Sequence, residues 1–172
     1  MFVDCCIDLD HIEATCGNNA AGLKRLLGIA CGSHISAIPA AVKHKITTPV
    51  TLRPAVAASG ANPAVEAGEI FEWHFAKEDQ AYTSKRNKDT GEWETEVKIF
   101  IPKMEAEKSD ILNNATGDDK IVFFTDRNGK KRIVGDKEDG CSVNVEEQAT
   151  PKNGYVVSVT HSGGHSPYFY EV

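Results

Sequence analysis

Two histidines four residues apart, in His161-Ser-Gly-Gly-His165, are the residues whose type and spacing come nearest to chemistry. On one helical face such a pair holds zinc, but the intervening Gly-Gly makes a turn and removes that geometry. A metal held in a loop would need a carboxylate or third histidine that the sequence does not single out, so a plain loop is the expected reading. Cys31, Ser33 and His34 pair a nucleophile with a base, yet no strand-turn-helix elbow or orienting third residue accompanies them. Asp118-Asp119 and Asp136, Glu138 and Asp139 are acidic but do not follow the D-x-D-x-D-G calcium loop, which leaves solvated turns. No G-x-G-x-x-G or G-x-x-x-x-G-K cradle for phosphates is present, so no nucleotide is implied. The expectation is a non-enzyme without cofactor or metal.

The five cysteines, Cys5, Cys6, Cys16, Cys31 and Cys141, are odd in number and contain no C-x-x-C. A zinc site from Cys5, Cys16, Cys31 and His11 is the sharper reading; reduced, mostly buried thiols are the expected one. Small basic clusters, Lys85-Arg86 with Lys88 and Arg127 with Lys130, Lys131 and Arg132, fall at hairpin tips. Charged tips that discourage edge-to-edge pairing explain them more simply than nucleic-acid contact does. In an oligomer, Lys85, Arg86, Lys88, Arg127 and Lys130 become candidates for contact with a neighbouring subunit.

The elements that would position these residues are mostly strands. Glu92 to Ile101 alternates for ten residues, with Trp93, Thr95, Val97, Ile99 and Ile101 on one side and Glu92, Glu94, Glu96 and Lys98 on the other. That period of two predicts a long strand with one dry and one wet face. Phe71, Trp73 and Phe75 alternate in the same way with Glu72 and His74, and Gln80–Arg86 continues that arm through a bend. A long antiparallel hairpin over 69–101 is therefore expected, with Phe71, Trp73, Phe75, Trp93, Val97, Ile99 and Ile101 against a core. Pro102 ends it. A helix is expected over 103–115, with Met104, Ile111, Leu112 and Ala115 on one face and Gly117 as its stop. Shorter strands are expected in 23–30, 35–38, 120–125, 131–135, 141–146, 155–161 and 167–172, with Asn128-Gly129 and Asn153-Gly154 as turns.

Between 39 and 68 the composition changes. Pro39, Pro49, Pro54 and Pro63 sit among Ala, Val and Thr, which forbids a helix and spoils a central strand. An extended loop or arm is expected, either interfacial or a mobile insertion, since loops of about thirty residues are rare inside compact domains. At 172 residues, 41% hydrophobic and 26% charged, the chain is one ordinary globular domain. A net charge of -6 disfavours a surface that grips phosphate backbones; it suits one past which DNA slides, and on charge alone simple solubility is the expected reading. No apolar run long enough to span a membrane and no basic, apolar start of a secretory signal are present, so synthesis and use in cytoplasm are expected. The fold class is mainly β: an antiparallel β-sandwich or partly closed barrel with a long hairpin and one flanking α-helix.

Several stretches resemble, in their order, the tail tube proteins of tailed bacteriophages and small structural proteins of phages and prophages of Bacteroidetes-type hosts. They are Gly22-Leu-Lys-Arg-Leu-Leu, Ile35-Ser-Ala-Ile, Phe71-Glu-Trp-His-Phe and Glu94-Thr-Glu-Val-Lys-Ile-Phe-Ile-Pro. Ile121-Val-Phe-Phe-Thr-Asp-Arg-Asn-Gly-Lys, Val134-Gly135, Asn153-Gly-Tyr-Val-Val-Ser-Val-Thr-His and Pro167-Tyr-Phe follow. The resemblance implies hexameric rings whose sheets join around a DNA channel and stack through loops and termini. It further implies a virion tail subunit assembled in the host cytoplasm. Its partners would be copies of itself and other tail or neck proteins; DNA would pass without specific binding, and no membrane would be involved. Glu92, Glu94, Glu96 and Lys98 would face the lumen. Other readings are a connector or terminator ring, a carbohydrate- or protein-binding sandwich with Trp73, Trp93, Tyr168 and Tyr170 as an aromatic platform, and, last, a hydrolase.

Overall fold

A computed structural model describes residues 10–12, 26–76, 80–125 and 129–172. It is mainly β, with a curled half-barrel sheet, a small second sheet and, among the described residues, one α-helix. The strands are β1 (Leu26–Cys31), β2 (Ile35–Ala37), β3 (Lys45–Ile46), β4 (Thr51–Leu52), β5 (Phe71–His74) and β6 (Ala81–Arg86). They continue with β7 (Trp93–Pro102), β8 (Gly117–Thr125), β9 (Lys131–Val134), β10 (Cys141–Gln148), β11 (Gly154–Gly163) and β12 (Tyr168–Tyr170). Helix α1 (Ala106–Ala115) joins β7 to β8.

The alternation of β7 is reproduced in its burial: Thr95, Val97, Ile99 and Ile101 point inward, Glu94, Glu96 and Lys98 outward. Its hairpin partner is β6, with Ala81 opposite Lys98 and Arg86 opposite Trp93. The Asn87–Glu92 loop closes by Asn87 N–H donating to Glu92 O at 2.7 Å, with Gly91 at φ +74. Here the expected hairpin over 69–101 is corrected. Phe71–His74 does not pair with β7; it lies antiparallel to β1, with Ile29 opposite Phe71 and Leu26 opposite His74. Alternation fixes which face of a strand is buried but leaves its neighbour open. Just beyond β5, Ala76 N–H donates to Phe100 O of β7 at 2.8 Å.

Strand β8 is the fork of the large sheet. One edge carries β1; along the other, its second half pairs with β9 and its first half with β10. From β10 the sheet continues through β11 and β7 to β6, and from β9 through β12 to β3. The sheet curls far enough that Tyr82 of β6 meets β8 and β9: Arg132 Nη1 donates to Tyr82 OH at 2.8 Å, and the Tyr82 and Phe124 rings lie 4.8 Å apart. Inside the curl sits the principal core, with Trp73, Ile99, Ile101, Phe124, Tyr155 and Val157, plugged at one end by Leu112 and Ala115 of α1. Each large apolar side chain buried there stabilises the fold by about 1.5–3 kcal/mol. The helix starts at Ala106 rather than 103, because Lys103 sits at φ +67 and its N–H donates to Asn153 O at 2.9 Å.

A second core lies on the other face of the fork, from Ala30, Ile121, Phe123 and Ile133 together with Ile35 and Ile46. Its cover divides the segment expected to be one arm. Ile38, Ala41, Ile46 and Val50 pack onto this face, and β3 runs parallel to β12. Beyond β4 the chain leaves the body as a narrow hairpin, with Val56 bridged to Val65 and Ser59 to Asn62, and residues 54–64 are exposed throughout. Its stem is clamped. Arg53 Nη2 and Nε donate to Glu66 O at 2.8 and 3.1 Å, and a Cβ on Gly68 would fall 2.0 Å from His34 O.

Candidate functional site

The pairing registers of β10, β11, β7 and β6 align their outward side chains in rows. Ser142, Thr160, Glu96 and Thr83 form one; Asn144, Ser158, Lys98 and Ala81 the next; Ser162, Glu94 and Lys85 a third. The result is a four-stranded wall of hydroxyls and amides carrying Glu94, Glu96 and Glu146, with Glu92 in the adjoining loop. All four carboxylates are exposed. Glu94 is steadied by Asn87 Nδ2 at 3.3 Å and faces Lys85 across the ladder. Small hydroxylated side chains on a β-surface give a smooth, hydrated face and expose little apolar area.

Both borders of this wall are open among the described residues. Strand β6 pairs with β7 alone. Strand β10 meets β8 only at Cys141 and Val143, so the outer backbone edge of 144–148 has no strand partner. Open edges offer unpaired N–H and C=O groups to another chain.

Phe71, Trp73, Val97, Ile99 and Ile101 are buried, while Phe75 and Trp93 are part-buried. Lys85, Arg86 and Lys88 lie exposed at the β6–β7 hairpin tip. Lys130 is also exposed and lies 3.9 Å from Glu171. Arg127 lies outside the described residues, as do Cys5, Cys6 and Cys16. The aromatic platform is corrected: Trp73 is 0% exposed, and Tyr168 and Tyr170 pack against the second core, because the strands that carry them turn those rings inward.

The residues that tempted a catalytic reading are held in structural bonds. His34 is buried and accepts from Glu69 N–H at 3.2 Å, fixing the base of the arm. His161 approaches Asp139, while His165 stacks on Tyr168 with ring centroids 3.9 Å apart, so the two histidines face different neighbours. Asp136 accepts from Glu138 and Asp139 N–H groups at 2.9 and 2.7 Å, a local turn. His11 Nε2 contacts Glu69 at 2.7 Å and its Nδ1 accepts from Glu72 N–H at 3.1 Å.

The expectation of reduced thiols is corrected at one position: Cys31 is disulfide-bonded, which irregular cysteine spacing gave no means of reading. Cys141 is a free, buried thiol whose pKa is pushed up to about 12 by desolvation, partly opposed by a hydrogen bond to the backbone at Val122. Burial likewise lowers the Lys108 pKa, although Lys108 Nζ donates to Pro102 O at 3.0 Å. Lys120, 2% exposed at the fork, pairs with Asp119 at 2.6 Å.

Sequence reasoning missed the β10 edge. The signal was available in part: Ser142, Asn144 and Glu146 alternate with Cys141, Val143 and Val145.

No protein-family model, no curated protein and no solved structure matches this chain. Among the described residues no group of His, Cys, Asp and Glu is arranged to hold a metal ion, and no helix is long and apolar enough to cross a membrane.

Proposed function

We propose that this chain is a self-assembling structural subunit, a tail tube protein of a phage virion, whose β10–β11–β7–β6 wall lines a DNA channel. The observation that carries the reading is that the two open edges, β6 and the 144–148 part of β10, border the same polar face. Pairing β6 of one copy with β10 of the next continues that face from subunit to subunit. Such head-to-tail contacts close into a ring when the rotation between copies divides a full turn, and a closed ring has no edges left. Four strands at about 4.8 Å spacing supply roughly 19 Å of circumference per copy. Six copies make a bore of about 37 Å between backbones by the same spacing. The glutamates then face the bore and repel phosphate, which suits passage over retention.

Paired cysteines test this directly. Within one copy β6 and β10 are three strand spacings apart, about 14 Å, too far for a disulfide. Single cysteines at Ala81, Thr83 or Lys85, combined with one at Asn144, Glu146 or Gln148, are expected to give oxidised ladders that end at the ring size. Negative-stain images of wild type should show rings or tubes. Monomers at high concentration, with no cross-linked ladder from any combination, would sink the reading. A connector or terminator would use the same edges but yield rings that do not stack.

A further inference from the structure

The wall's two edges, open among the described residues, present particular backbone groups, and two hydrogen bonds fix which. Asn87 N–H donates to Glu92 O at 2.7 Å, and Lys103 N–H donates to Asn153 O at 2.9 Å. Bonded and non-bonded pairs alternate along an antiparallel ladder. Carried along the β6–β7 register, the first bond turns the backbone groups of Ala81, Thr83 and Lys85 toward β7. Those of Tyr82 and Ser84 therefore point out of the sheet. The second bond, carried from β7 through β11 to β10, turns Asn144, Glu146 and Gln148 toward β11. Val145 and Glu147 are left facing outward.

Strand directions alternate across the wall, β10 and β7 running one way, β11 and β6 the other. In a ring of copies related by rotation, β6 consequently meets the next β10 antiparallel. The free backbone groups fall in phase, with polar side chains on one face, only where Tyr82 and Ser84 stand opposite Val145 or Glu147. A single in-phase register pairs every residue of 144–148 with a residue of β6. It sets Ser84 opposite Val145 and Tyr82 opposite Glu147 as bonded pairs. Lys85 with Asn144, Thr83 with Glu146 and Ala81 with Gln148 are its non-bonded pairs.

In that register a row entering at Asn144 runs through Ser158, Lys98 and Ala81 and reaches Gln148 of the next copy. The row climbs four residues, about 13 Å, across four strands, about 19 Å, so the strands tilt by about 35°. Closed barrels tilt by about 35–45°. With the polar face toward the bore the tilt has the right-handed sense that sheet twist imposes; with that face outward it would be left-handed. A twisted sheet is saddle-shaped, so the wall wraps the core along one diagonal and the bore along the other. For six copies the tilt widens the bore from about 37 to about 45 Å.

We propose that neighbouring copies join in this one register, an antiparallel β6–β10 seam with Thr83 facing Glu146, which sets the tilt of the channel wall. The inference rests on the ring reading and adds to it the alignment of the copies. Lys85 stands diagonal to Glu146 of the next copy, an opposite-charge contact across the seam.

The nine paired-cysteine combinations tell the registers apart. Opposite residues of a non-bonded pair have Cα atoms about 4.5 Å apart, within disulfide reach, while diagonal ones stand at about 7–8 Å, outside it. Lys85→Cys with Asn144→Cys, Thr83→Cys with Glu146→Cys, and Ala81→Cys with Gln148→Cys are expected to form ladders at least about tenfold faster than the other six. Wild type oxidised in parallel sets the background, and circular dichroism confirms each fold. Fastest cross-linking on another diagonal, such as Thr83→Cys with Gln148→Cys, or equal rates in all nine, would overturn the register and leave the ring reading standing. No ladder from any combination would remove both.

Discussion

The four-stranded wall and the 54–64 hairpin are both exposed to solvent, and they reach that state by opposite chemistry. In the wall the inward residues of β7 and β11, such as Val97, Ile99, Ile101, Tyr155 and Val157, are anchored in the principal core, and the residues between are mostly charged, hydroxylated or amide-bearing. In the hairpin no residue is charged, Val56 is 54% exposed, and two bridges hold the strands together. The wall is backed by buried side chains on its other face. The hairpin is fixed only at its stem, by Arg53 and the close approach of Gly68 to His34. Exposure alone therefore says little; what lies behind the exposed side chain decides how much a substitution costs.

Substitutions can break or sharpen this contrast. The largest effect is expected from Val97→Asp or Ile99→Asp, since each puts a carboxylate without partner into the core and loses about 1.5–3 kcal/mol of burial besides. Circular dichroism should report an unfolded chain; retained native spectra would show that the inward face of β7 is not buried. Next comes Gly68→Ala. Its new methyl would meet a backbone carbonyl, and overpacking of this kind costs about 1–3 kcal/mol, readable as a lower urea midpoint. An unchanged midpoint would mean that the stem is not clamped.

The Cys141 thiol should resist alkylation in the folded protein at mildly alkaline pH and react once urea is added. Because its folded pKa is raised above the ordinary thiol value of 9.0 to about 12, the stability it contributes is fully present below about pH 9 and is lost as the pH climbs toward 12. A urea midpoint that rises over that interval would contradict this sign. The smallest effects on stability are expected on the exposed surfaces themselves. Val56→Asp and the joint reversal Glu94→Lys with Glu96→Lys should each stay within about 0.5 kcal/mol of wild type by chemical denaturation. They should part company in assembly. The reversals are expected to alter particle formation or DNA passage, and wild-type behaviour in both would remove the lumen assignment.

Much of the body was legible in the residues. The alternation in 92–101 gave the inward and outward sides of β7, and the short apolar runs near 120–125 and 155–161 gave β8 and β11. Helix α1 was legible too, apart from its first turn, where Lys103 departs to bond Asn153. The candidate surface was half legible: Glu92, Glu94, Glu96 and Lys98 were visible as a wet stripe, but the rows of Ser, Thr and Asn beside them depend on which strands become neighbours.

By itself the sequence determined which side of β7 is dry along most of its length, where the chain must turn, and that the carboxylates of β7 stand together in water. These are consequences of local geometry, since side chains alternate along any extended backbone. Only the tertiary structure decided that β5 joins β1, that β8 forks the sheet, that the open edges of β6 and β10 border one polar face, and that Cys31 is bonded. Strand partners and long-range contacts follow from competition among all edges and faces for burial, which no local stretch of residues encodes.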